Sequence, residues 1–124
     1  MIFGRAAKSA IALSATFALA AAASQAQAHA RLVSATPAAN ATVAAPGSVT
    51  LHFSEALVSK FSGFDLMKAD GSKVGVATSV AKDHKTVVGV VKGPLAAGTY
   101  MVMWHAAASD DGHRTKGDFN FKVR

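Results

Sequence analysis

"GTYMVMWHAA", residues 98–107, decides how this chain folds. Side chains alternate across a β-strand, so Tyr100, Val102 and Trp104 fall on one face and Met101, Met103 and His105 on the other. Two aromatic rings and a valine on one side are what a strand packed against a core carries. Upstream, "SVTLHFS" (48–54) alternates in the same way, with Val49, Leu51 and Phe53 together. "KTVVGVV" (85–91) is rich in β-branched residues and ends at Gly93-Pro94. "GFDLMKADGSKVGVAT" (63–78) reads as a hairpin, because Ala69-Asp70-Gly71-Ser72 has turn chemistry between two alternating arms. "RLVSATP" opens the series, Pro37 to Pro46 forms a connector, and "DFNFKV" closes the chain. Only "SEALVSKF" (54–61) has room for a helical turn.

About seven short strands spaced 8–12 residues apart predict an all-β domain. The expected architecture is an immunoglobulin-like antiparallel sandwich or Greek-key barrel. No internal repeat or second domain is visible.

The first 28 residues have a different character. Arg5 and Lys8 precede the apolar run Ala10 to Ala23, and Ala26-Gln27-Ala28 has the small-x-small form that signal peptidase accepts. The run is too short and too rich in alanine for a membrane span. The expected organisation is a signal peptide at 1–28 and one domain at 29–124. Cleavage after Ala28 would leave 96 residues of the 124, starting at His29, with 11 basic and 7 acidic side chains. A chain of this size has only a marginal core, and many such exported domains use disulfides instead. This one has no cysteine, so disulfides and thiolate metal sites are excluded. Its lysines stand singly, which excludes the clustered basic stripe of a nucleic-acid binder.

Cleavage changes the chemistry of His29. A free α-amine and the imidazole Nδ1 of one residue close a six-membered chelate ring on a metal ion. An amine titrating near about 7.7 gives up its proton readily to a strong Lewis acid. Two nitrogens fixed on one residue suit a tetragonal N/O ion, with Cu(II) foremost. "SDDGHRTKG" (109–117) places Asp111 and His113 across Gly112 in the last loop, where both side chains can face one point. Glu55 closes the strand "SVTLHFS".

These motifs, in this order, resemble the CopC family of periplasmic copper-binding proteins. The resemblance runs from His29 to Arg124 through "HARLVSATPA", "LHFSEALVSKFSGFDL", "LAAGTYMVMWHAAASDDGH" and the final G-x-F-x-F-x-V of Gly117 to Val123. It implies a Greek-key β-barrel with one Cu(II) site at a pole of the barrel. The amine and imidazole of His29, the imidazole of His113 and the carboxylate of Asp111 would hold the ion. Glu55 would accept a hydrogen bond from the coordinated amine, with direct ligation as the second reading. The sequence departs from the family at Arg114, where a proline is often found. It also lacks the methionine-rich loop that holds Cu(I) in some members, since "MKADGSKVG" contains only Met67. Met101, Met103 and His105 keep a Cu(I) reading open, but a methionine-covered surface or docking patch is the favoured one.

The resemblance further implies a non-enzymatic, monomeric periplasmic protein for copper sequestration, resistance or delivery to an inner-membrane transporter. No nucleic-acid partner and no membrane insertion of the mature chain are expected. The alternative from another class is an N-terminal-histidine copper oxidase acting on polysaccharide. That enzyme needs an open metal position and a broad aromatic face. A metal-free adhesion-like sandwich is a third reading.

Overall fold

The computed structural model describes residues 29–124, and the proposed signal segment lies outside them. Among the described residues no helix is long and apolar enough to cross a membrane. The described residues form nine strands, in chain order β1 Leu32–Thr36, β2 Thr42–Val43, β3 Ser48–Phe53, β4 Gly63–Lys68, β5 Lys73–Val74, β6 Val76–Val80, β7 Thr86–Val91, β8 Gly98–Ala107 and β9 Arg114–Val123. They form a four-stranded sheet in the order β1-β3-β7-β6 and a five-stranded sheet in the order β2-β9-β8-β4-β5. All pairings are antiparallel except β2 with β9.

The expected all-β sandwich is therefore observed, with two more strands than the sequence suggested. Both extra strands, β2 and β5, are two residues long, too short for any periodicity to register. The hairpin predicted over 63–78 is only half formed. Its second arm splits: β5 pairs with β4, while β6 leaves for the opposite sheet and pairs with β7. Gly75, between the two, lets the chain turn from one sheet to the other. A single 3-10 turn, Ser59–Phe61, occupies the segment where one helical turn fitted.

The core lies between the sheets. Val49, Leu51 and Val87 from the four-stranded sheet meet Leu66, Val102 and Phe121 from the other, all six almost fully buried. Phe53 and Trp104 meet edge-to-face across the interior at 5.3 Å and 72°. Trp104 itself is only half-buried, because it lies over Gly117 of β9. A Cβ at Gly117 would sit 2.6 Å from Trp104 Cζ2, so glycine is what allows the indole to cover this strand.

The entry to β7 is organised by Asp83. Its carboxylate accepts the Thr86 hydroxyl at 2.7 Å and the N–H groups of Lys85 and Thr86 at 2.9 and 3.0 Å. The Thr86 hydroxyl and these backbone donors hold the Asp83 carboxyl below the usual carboxylate range, with a smaller contribution from His52. His52, an exposed strand residue as expected, approaches the Thr86 hydroxyl at 3.1 Å through Nδ1. A carboxyl depressed on folding stabilises the native state above its unfolded titration range and loses that effect as pH falls through the folded one. Stability should thus decline as pH falls below about 4. Asp83→Asn should flatten this acid limb in urea titrations at a series of pH values. An unchanged acid limb would show that the turn contributes nothing to it.

Candidate metal centre

Three segments converge at the β8–β9 end of the sandwich. The first is the start of the described chain. Ala30 is fully buried, its carbonyl accepts the Thr115 hydroxyl at 2.8 Å, and Arg31 and Ser54 exchange backbone and side-chain bonds at 2.9 Å. His29 therefore adjoins the core directly, since Ala30 is a core residue. The second segment follows β3. Leu57 forms an isolated bridge with Ala108, and Ser109 N–H donates to the Ala56 carbonyl at 2.8 Å, which places Ser54 to Leu57 against the last loop. The third is that loop, residues 108–113. Gly112 N–H donates to the Ala108 carbonyl at 2.8 Å, and Ala108 N–H to the His113 carbonyl at 3.0 Å. Gly112 has φ +70°, a left-handed conformation that glycine adopts without cost and that closes the turn.

The result is that His29 and His113, far apart in sequence, stack face to face at 3.8 Å between ring centroids and 21° between planes. His29 is half-buried, and its Nδ1 is buried with no hydrogen-bond partner. Such atoms are rare, since an unpaired buried polar group costs about 1–3 kcal/mol. This orphan is the same nitrogen that a terminal-histidine chelate would use. A ring nitrogen binds a metal in its own ring plane, so these nearly parallel rings must turn out of the stack to share one ion.

The carboxylates are not gathered with them. Asp111 Oδ1 accepts the His113 N–H at 2.9 Å, so Asp111 shapes the turn that presents His113. Glu55 lies half-buried on the neighbouring segment, with no ion pair to either histidine. Among the described residues no three His, Cys, Asp or Glu side chains form a preassembled metal cluster. The physical reason is visible in the sequence. Asp111 and His113 are two residues apart, the spacing at which an aspartate carboxylate accepts the backbone N–H two residues on. Arg114 pairs with Ala107 at the start of β9, and its guanidinium lies 4.4 Å from the centre of the exposed Phe61 ring.

The outward stripe on β8 is altered by cross-strand register. Met67 of β4 lies directly opposite Met101, and Met67, Met101 and Met103 line one cavity of about 440 Å³ on the outer face of the five-stranded sheet. His105 lies opposite Gly63 and Lys116, four residues along β8 from Met101, and does not line that cavity. Met101, Met103 and His105 share this face as the alternation predicted, and Met103 and His105 line a neighbouring pocket; only the β4–β8 register shows that Met67 faces Met101.

Together, these features define a small cysteine-free β-sandwich with a two-histidine centre at one end. A CopC domain family model matches residues 32–124, and the chain belongs to that family. It is 45% identical over 106 residues to copper resistance protein C of Pseudomonas syringae pv. tomato, covering 80% of this chain and 83% of that protein. Protein YobA of Escherichia coli K12 is 42% identical over 100 residues, covering 78% and 80% respectively. Among solved structures, PcoC, a methionine-rich copper resistance protein from Escherichia coli, superposes with a TM-score of 0.72 at 39% identity, over 78% of this chain and all of that one. CopC from Methylosinus trichosporium OB3b gives 0.71 at 30% identity, over 77% and 93%.

Proposed function

We propose that this protein binds copper in the bacterial periplasm, as a binder and not an enzyme, and takes one Cu(II) per chain for resistance, sequestration or delivery to an inner-membrane transporter. Residues 1–28 act as the signal peptide, and their removal frees the His29 amine. The amine and Nδ1 of His29, the imidazole of His113 and the carboxylate of Asp111 then fill the four strong positions of a tetragonal ion. Glu55 accepts a hydrogen bond from the coordinated amine and orients it.

The observation that carries this reading is the buried, unpartnered Nδ1 of His29 stacked on His113. Its relatives' names, copper resistance protein C and PcoC, support copper as the cargo. The oxidase alternative fits poorly. Tyr100 is buried and Trp104 packs edge-to-face on Phe53, so the described residues present no broad aromatic platform for a polysaccharide.

Titration of the mature chain with Cu(II), followed by EPR, should saturate at one equivalent with nitrogen coupling in the spectrum. His113→Ala should change that spectrum outright. Glu55→Ala should preserve the ligand pattern while weakening binding about 10–100-fold. The same altered spectrum from both variants would make Glu55 a ligand. Two tight equivalents, or no nitrogen coupling in the wild-type chain, would overturn the proposed site.

A further inference from the structure

We infer that Ser54 and Thr115 are positioning residues that clamp the first three residues of the mature chain and so hold the His29 chelate against His113 before any ion arrives. The inference rests on the Cu(II) reading above and adds two residues that chelate no metal themselves. The Thr115 hydroxyl donates to the Ala30 carbonyl at 2.8 Å. The Ser54 hydroxyl accepts the Arg31 N–H at 2.9 Å and reaches the His29 carbonyl at a longer 3.5 Å. Two side chains thereby engage the backbone of all three consecutive residues 29, 30 and 31, while the Ala30 methyl is sealed in the core.

Placement in the sequence gives the clamp its meaning. Ser54 immediately precedes Glu55, and Thr115 follows His113 by two residues at the start of β9, opposite Ala106. Each hydroxyl is thus fixed to the same stretch of backbone as a proposed site residue. Whatever sets the position of His113 or Glu55 also sets the position of the His29 backbone. A free chain terminus would otherwise have to be ordered at the moment of binding, and that entropy would be subtracted from affinity. Neither hydroxyl is needed for the strand ladder, since β3 and β9 are paired through their own backbones.

The test uses the secreted mature chain, its His29 start verified by intact mass, as wild type, Ser54→Ala, Thr115→Val, Thr115→Ser and the Ser54→Ala/Thr115→Val double variant. Three readouts are taken: amide hydrogen exchange at Arg31 without metal, Cu(II) affinity by chelator competition, and the Cu(II) EPR spectrum. Ser54→Ala should speed Arg31 exchange, and the double variant should lose about 10–100-fold in affinity while keeping the wild-type nitrogen coupling. Thr115→Ser, which retains the hydroxyl, should bind like wild type. His113→Ala should instead change the spectrum itself, which separates positioning from ligation. Should the Thr115→Val variants fail to fold, Ser54→Ala alone carries the test, since it leaves the Thr115 bond to the Ala30 carbonyl in place. Wild-type affinity in folded variants with accelerated Arg31 exchange would overturn the clamp while leaving the Cu(II) site standing. No Cu(II) binding by the wild-type chain would overturn the copper reading itself.

Discussion

A mature chain carrying one extra residue ahead of His29 is expected to lose more than about 100-fold in Cu(II) affinity at neutral pH, beyond the scale of an orienting-residue loss. Every side chain of the proposed site is retained in that variant. What disappears is the amine: its nitrogen becomes an amide with no basic lone pair, and the six-membered chelate cannot close. The fold should persist, because Ala30 keeps its place in the core and its carbonyl keeps the Thr115 hydroxyl. Near-identical unfolding curves for the authentic and extended chains, together with the collapse in affinity, would establish that the terminus itself is the ligand. Equal affinities would sink the terminal chelate and leave His113 with side chains alone.

The largest loss of stability is expected from Phe121→Ala. Phe121 is fully buried on β9, beside the central strand β8, and stacks on Tyr100 opposite it at 5.7 Å. Truncation of a buried phenylalanine costs about 3–5 kcal/mol, as lost transfer energy plus the cavity left behind. Against a total of about 5–15 kcal/mol for an ordinary domain, and with no disulfide to restrain the unfolded chain, that is a large share. Urea unfolding of the metal-free chain measures it. Cu(II) at about 100 times its dissociation constant should restore at most about 2.7 kcal/mol, less the affinity that the single-residue His29 chelate keeps in the unfolded chain. A loss below about 1 kcal/mol would mean that the sheets close over the gap. A shift with Cu(II) in Phe121→Ala but not in Phe121→Ala/His113→Ala would tie the recovery to this centre.

Much of this protein was legible from one strand. The alternation in residues 98–107 placed Tyr100 and Val102 in the core, and the same rule applied to residues 48–54 did so for Val49, Leu51 and Phe53. Binary patterns of this kind are local, so composition and spacing suffice to read them. The absence of cysteine and the ordered motifs at 51–66, 95–113 and 117–123 are likewise properties of the chain as written. What the sequence did not contain was register and crossing. That β6 leaves its own hairpin for the opposite sheet, and that Met67 faces Met101, follow from pairings between distant segments, where one residue of slip would exchange the two faces of a strand. The same holds for the centre itself. The sequence named His29, Asp111, His113 and Glu55, and the family resemblance grouped them as one site. Tertiary structure decided that the two histidines stack, that one oxygen of Asp111 accepts the His113 N–H in its own turn, and that Ala30 is a core residue pinned by Thr115 from the far end of the chain. Contacts spanning more than 80 residues form only when two sheets close on one core, and no local pattern encodes which side chains then meet.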